Sequence, residues 1–190
     1  MTSKCKVVFL GAAGTGKTSL IHKFIYDDFS RDYSATVGID FFTKPVQVAD
    51  RTINLQIWDT AGQEKFKSLI PSYIRESSIA VIVYDVSDIA TFEEAKSWQK
   101  TVENERGNEA VCILVGNKID LENQVPREKV IEFTRPLSIS AIEASAKTGK
   151  NIARLFKLIS ESIPNQKNLP QNDIPIIVPQ SEPPPPPCSC

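Results

Sequence analysis

Gly11-Ala12-Ala13-Gly14-Thr15-Gly16-Lys17-Thr18 fits G-x-x-x-x-G-K-[ST], the spacing of a loop that cradles phosphate. Glycines let backbone N–H groups turn inward with no Cβ in the way. Those amides, from Ala13 through Ser19, and the start of the following helix face an anion together. Lys17 reaches β- and γ-phosphates, and the Thr18 hydroxyl is a ligand for Mg²⁺. The apolar run Val7-Val8-Phe9-Leu10 precedes the loop and a helix-like stretch from Ser19 to Ile25 follows it, the context the motif requires.

A phosphate loop alone does not choose between ATP and GTP. Asp59-Thr60-Ala61-Gly62-Gln63 ends a strand, where an Asp can hold Mg²⁺ through water. The Gly62 amide can approach a γ-phosphate, and the Gln63 amide can orient an attacking water. Thr36 offers a second hydroxyl to the metal, so the expected metal set is Thr18, Thr36 and Asp59. Asn117-Lys118-Ile119-Asp120 follows another strand. The Asp120 carboxylate can accept from N1–H and the 2-amino group of guanine, whereas adenine would leave it unpaired. Ser145-Ala146-Lys147 follows the last strand and can present a backbone N–H to the guanine oxygen.

These residues need elements to position them. Residues 4–10 read as a buried strand and Gly16 to about Asp28 as a helix. His22, the sole histidine, has no partners at ligand spacing and is expected to be solvated. Phe41–Val48 and Thr52–Trp58 read as a hairpin, the latter with period-two alternation. Residues 79–84 and 111–115 are continuous apolar runs, as in strands covered on both faces. Thr91 and Glu94 have capping-box spacing at the head of a helix. Pro126–Phe133 reads as a short helix, Ile139–Glu143 as a short strand and Asn151–Ile163 as an amphipathic helix. The alternation predicts a doubly wound α/β domain with a six-stranded, mostly parallel sheet, one antiparallel strand and helices on both faces.

After Ile163 the composition shifts. Nine of the thirteen prolines lie in 164–190, with few large apolar residues, so this stretch reads as an extended tail on a 1–163 domain. Pro183–Pro187 favours a polyproline II rod. A formal net charge of −1 argues against nucleic acid as a partner, and no apolar run is long enough to span a membrane. The start of the sequence lacks a signal-peptide apolar region and a Gly at position 2. Cys5 and Cys112 sit in strand-like runs as small hydrophobes, which fits a reducing cytosol.

Phosphate loop, Thr36, DTAGQ, NKxD and SAK, in this order over residues 4–163, resemble the Ras-like small GTPases. Val37-Gly38-Ile39-Asp40-Phe41 and Trp58 through Phe66 are similar to the Rab branch. Asp50-Arg51-Thr52, Ser68 through Arg75, Glu105-Arg106-Gly107 and Cys188-Ser189-Cys190 are similar to its Golgi-associated group, number six. The resemblance implies a GTP/GDP switch in which Thr36 and Gly62 hold two segments onto the γ-phosphate. It places the Phe29 ring on guanine and Tyr33 over the phosphates. It makes Ile39, Phe41, Trp58 and Tyr73 an effector surface, against which ordinary packing of the aromatic rings carries equal weight. Ala13, Thr15 and Val37 depart from the commonest family residues. The Cys-x-Cys ending implies geranylgeranyl groups on Cys188 and Cys190, two chains being enough for stable anchoring.

The implied partners are an exchange factor, a GTPase-activating protein, a GDP dissociation inhibitor, a Rab escort protein, effectors and a membrane. The chain is expected to be a monomer on the cytoplasmic face of membranes, at the Golgi, with a cytosolic pool. Two rival readings are a P-loop kinase or ATPase, disfavoured by Asp120 and the lack of an arginine-rich lid, and a scaffold whose prolines bind SH3-like partners.

Overall fold

The computed structural model describes residues 3–30, 36, 38–48, 50–60, 69–107 and 111–163. Its six strands are β1 (Ser3–Leu10), β2 (Ile39–Val48), β3 (Arg51–Thr60), β4 (Ile79–Asp85), β5 (Val111–Asn117) and β6 (Ser140–Glu143). Its five helices are α1 (Lys17–Tyr26), α2 (Ile70–Glu76), α3 (Ile89–Arg106), α4 (Arg127–Thr134) and α5 (Ile152–Glu161). The strands form one sheet in the order β2-β3-β1-β4-β5-β6. Only β2 runs antiparallel, paired with β3 from Ile39↔Thr60 to Val48↔Arg51. The predicted doubly wound fold is therefore the observed one.

The continuous apolar strands are explained by the two faces they serve. Val7 and Phe9 enter one core with α1 and α5, while Val8 and Leu10 enter the other with α2, α3 and α4. Strand β4 is buried at all seven positions for the same reason, with Val81 and Val83 on the first face and Ala80 and Ile82 on the second. Each fully buried Val, Leu, Ile or Phe contributes roughly 1.5–3 kcal/mol relative to an exposed one. The first core is closed by Phe156 of α5, stacked on Phe24 of α1 with ring centroids 3.5 Å apart. Lys44 of β2 then covers the end of α1, its ammonium donating to the Phe24 and Ile25 carbonyls and lying over the Phe24 ring.

Two local expectations are corrected. Helix α3 has no Thr91/Glu94 capping box. It begins three residues earlier, because the Asp88 carboxylate accepts from the Ala90 N–H at 2.9 Å. Asp88 is extended, as an N-cap must be, and Thr91 instead ties the helix to β4 by accepting from the Asp85 N–H. Helix α1 ends at Tyr26, since Asp27 turns left-handed (φ 55°) and its N–H closes on the Lys23 carbonyl. His22 is exposed, as expected, and its ring meets Phe42 and Tyr26 edge-on at 5.4 and 5.5 Å.

Candidate functional site

The C-terminal ends of β1, β3, β5 and β6 carry the motif residues, where open α/β sheets bind ligands. The loop after β1 is shaped by close approach. Gly11 takes φ 140°, and a Cβ there would come within 2.1 Å of the Val83 carbonyl oxygen. Gly16 takes φ 89° at the head of α1, where a Cβ would meet the Asn117 amide nitrogen at 2.3 Å. Among the described residues no side chain caps α1, and its first turn holds no acid, so its positive end stays available to an anion. Ala13 and Gly14 are exposed at the lip of the loop, while Thr18 and Ser19 of α1 are half-buried. Thr15 is fully buried, its hydroxyl satisfied by the Ala12 carbonyl at 3.0 Å.

Lys17 is buried, and its ammonium donates to the Gly11 and Ala12 carbonyls at 2.8 Å each. Burial lowers its pKa to about 8, against the opposing pull of Asp59 and Glu94. It therefore still carries charge at neutral pH, poised for an anion above the loop.

Three oxygen donors converge beside it. The Thr18 and Thr36 hydroxyl oxygens lie 2.8 Å apart, and the Thr18 hydroxyl donates to Asp59 Oδ2 at 2.5 Å. Asp59 Oδ1 is buried and has no hydrogen-bond partner among the described residues. An unpartnered carboxylate oxygen beside two hydroxyls is a hard, all-oxygen donor set, and it fits Mg²⁺. Among the described residues no three His, Cys, Asp or Glu side chains form a cage. Such an ion would keep water or phosphate oxygens as its remaining ligands.

Burial raises the Asp59 carboxyl from 3.8 to about 6, with Thr18 and Lys17 pulling it down and Asp40 adding to the rise. A raised folded-state pKa stabilises the chain below the unfolded value, and that stability is lost as pH rises through about 6. The full titration is worth roughly 3 kcal/mol. Without divalent cation or nucleotide, the stability gap between wild type and Asp59→Asn should therefore change between pH 7 and pH 4.5. Asp59→Asn should be the more stable at pH 7, and its advantage should shrink at pH 4.5. Denaturant melts at both values in EDTA measure it; an advantage independent of pH would contradict the burial argument.

On the other side of the loop, Asn117 is buried and works as a strut. Its amide nitrogen donates to the Thr15 carbonyl at 2.8 Å, and its oxygen accepts from the Ala146 N–H at 3.2 Å. These two bonds use one of the amide's two donors and one of its two acceptor lone pairs, which leaves one of each for the nucleotide contact expected of this motif position. Asp120 Oδ1 accepts from the Ser145 hydroxyl at 2.6 Å, and Lys147 Nζ lies 3.4 Å from Oδ2. Although burial pushes it up, Ser145 and Lys147 hold the Asp120 carboxyl below its usual range, so it is an acceptor at neutral pH. Lys118 lies against Asp85 at 2.6 Å, a partner that motif reading did not include. The available signal was an acid closing the apolar run of β4.

Phe29 is half-buried and packs against the first core. Phe41, Trp58 and Tyr73 form one row, with centroids 4.6 and 5.0 Å apart, across β2, β3 and α2. Trp58 and Tyr73 pack on the second core, whereas Phe41 is 46% exposed; Ile39 is half-buried. Packing and exposure thus coexist in this row. Tyr33, Val37, Gly62, Gln63, Cys188 and Cys190 lie outside the described residues.

The Ras family model matches residues 6–165, most of the chain and every strand-end motif above. The chain belongs to the Ras family. As a small GTPase of that superfamily it is a GTP hydrolase that binds GTP, GDP and Mg²⁺, with regulators and effectors, in nucleotide-dependent signalling or trafficking.

Proposed function

We propose that this chain is a Rab-type switch of vesicle traffic, whose GTP-bound form recruits effectors to membranes. The observation that carries the nucleotide reading is the linkage of three strand ends through Asn117. One buried amide fixes the phosphate loop relative to Ala146, and Ser145 beside it fixes Asp120. Base and phosphate sites are thereby held in one geometry before any ligand arrives, which limits the ordering lost on binding.

In this reading Lys17 and the loop amides take the β- and γ-phosphates, and Asp120 takes the guanine N1–H and 2-amino group. The segment from Ser145 to Lys147, held by Asn117 through Ala146, borders the guanine oxygen. Lys147 and Phe29 border the base, and Tyr33 covers the phosphates. Thr18, Thr36 and Asp59 would hold Mg²⁺, which supplies charge neutralisation of the phosphate oxygens. Gln63 orients water for attack on the γ-phosphorus, giving GDP and phosphate. Thr36 and Gly62 follow the γ-phosphate and release their segments when it leaves. A GTPase-activating protein accelerates that step, and an exchange factor restores GTP.

The Rab assignment rests on the sequence blocks around residues 37–41 and 58–66, and the Golgi-associated group on Glu105-Arg106-Gly107 and the Cys-x-Cys motif. The exposed Phe41, continuous with Trp58 and Tyr73 and flanked by Ile39, offers effectors an aromatic anchor. The 164–190 segment serves as a spacer between the G domain and geranylgeranyl groups on Cys188 and Cys190. An escort protein and a GDP dissociation inhibitor handle those lipids, giving a Golgi pool and a cytosolic pool.

Replacing both Cys188 and Cys190 by Ser should leave GTP hydrolysis and melting temperature unchanged while moving the protein to the soluble fraction. The cysteines lie far in sequence from the core, and a double prenyl anchor is lost at once. Fractionation of cells expressing each form measures it. Membrane retention of the double variant would overturn the lipid assignment.

A further inference from the structure

Lys118 has φ 69°, in the left-handed region that residues other than glycine seldom adopt. Such a conformation persists where the surroundings over-determine it. Here its ammonium lies 2.6 Å from Asp85 Oδ2, at the end of β4. Asp85 is itself immobilised. Its Oδ1 accepts from the Ser87 N–H at 2.9 Å and the Ser87 hydroxyl at 2.6 Å. Its own N–H donates to Thr91, and sheet register sets it beside Asn117. The Val86 N–H then donates to the Asn117 carbonyl at 3.0 Å.

Lys118 stands between two fixed residues. Asn117 is tied to the phosphate loop and Asp120 to Ser145. The backbone angle at Lys118 therefore sets the direction in which the chain leaves β5 toward Asp120. We propose that Asp85 is a positioning residue for base recognition: by holding the Lys118 ammonium it stabilises the left-handed backbone there and aims Asp120. It touches no nucleotide. The inference rests on the reading of residues 117–120 as the base-binding loop. Asp85 is suited to the task, since Lys118 and Ser87 outweigh its burial and keep its carboxyl below the usual range. The charge is thus present throughout the neutral range.

A plain structural ion pair would behave differently. It would shift the melting temperature and be indifferent to the backbone preference of residue 118. The test is release of fluorescently labelled GDP from the full chain in Mg²⁺. Asp85→Asn keeps the shape and the acceptor for Ser87 but turns an amide toward the ammonium. It should release GDP about tenfold faster, a change of 1.36 kcal/mol. Lys118→Ala removes the ammonium alone and should release GDP faster than Lys118→Gly, which removes it and also accepts the left-handed angle without help, whereas a plain ion pair would leave the two alike. In the Lys118→Gly background Asp85→Asn should alter release by less than about twofold, the non-additivity of a coupled pair.

Release from Asp85→Asn at the wild-type rate would overturn the proposal. So would the same tenfold effect in the Lys118→Gly background. Should Asp85→Asn fail to fold, Ser87→Ala loosens the carboxylate through one lost hydrogen bond, with about threefold faster release expected; no change would overturn the proposal equally. A wild-type chain that retains no labelled GDP would overturn the guanine reading and, with it, this inference.

Discussion

Asp120→Asn is expected to weaken GTP by roughly 2–4 kcal/mol, about 30- to 1,000-fold in affinity. The Ser145 hydroxyl donates to Asp120 Oδ1 and itself accepts from the Thr148 N–H. In the amide variant that hydroxyl keeps the remaining oxygen, so the new NH₂ faces the base. Two acceptors for the guanine N1–H and 2-amino group become a donor opposed to a donor. Xanthosine triphosphate carries an oxygen where guanine has its 2-amino group, and it should gain relative to GTP. Equilibrium competition with the two nucleotides reads this directly. Unchanged discrimination would remove Asp120 from the base site.

Gln63→Leu carries the largest expected kinetic effect. GTP binding should be nearly intact, because in this mechanism Gln63 acts only as the transition state forms. Hydrolysis stimulated by a Rab-type activating protein should fall by most of the factor that a partner arginine supplies, about 10³–10⁵, or about 4–7 kcal/mol. The chain is pinned at Thr60, whose hydroxyl donates to the Phe9 carbonyl at 2.6 Å, three residues before Gln63 and next to Asp59. Residues 60–70 contain no His, Asp or Cys, and Glu64 is their sole carboxylate. Ala13 is exposed at the lip of the phosphate loop, where it adds one methyl group beyond glycine. Single-turnover hydrolysis with and without the activating protein measures both rates; wild-type rates in both would contradict the role given to Gln63.

What was legible in the sequence was what depends on local pattern. The apolar runs of β4 and β5 read as doubly covered strands because both faces are in fact covered. The phosphate loop read as such because its glycines answer to close contacts with Val83 and Asn117. What was not legible depends on partners distant in the chain. Asp88 and Thr91 are both plausible caps by type, and only the link from Thr91 back to Asp85 decides between them. Helix α2, seven residues with Pro71 in its first turn, is too short for periodicity to delimit. The strut role of Asn117 escaped because a motif names positions, not partners; its bond to Thr15 spans 102 residues. Asp85 escaped because its use follows from the register between β4 and β5.

The most direct measurement of the central claim is displacement of labelled GDP from the purified chain by GTP, GDP and ATP, with Mg²⁺ and again with EDTA. GTP and GDP should displace at near-stoichiometric concentrations and ATP only at about 10³-fold or more above them, since adenine leaves the Asp120 carboxylate unpaired. EDTA should speed release, because the Mg²⁺ that Asp59, Thr18 and Thr36 would hold would no longer neutralise the phosphate oxygens. Equal displacement by ATP, or release indifferent to EDTA, would contradict a guanine-nucleotide switch built on Asp120 and on the Thr18, Thr36 and Asp59 oxygens.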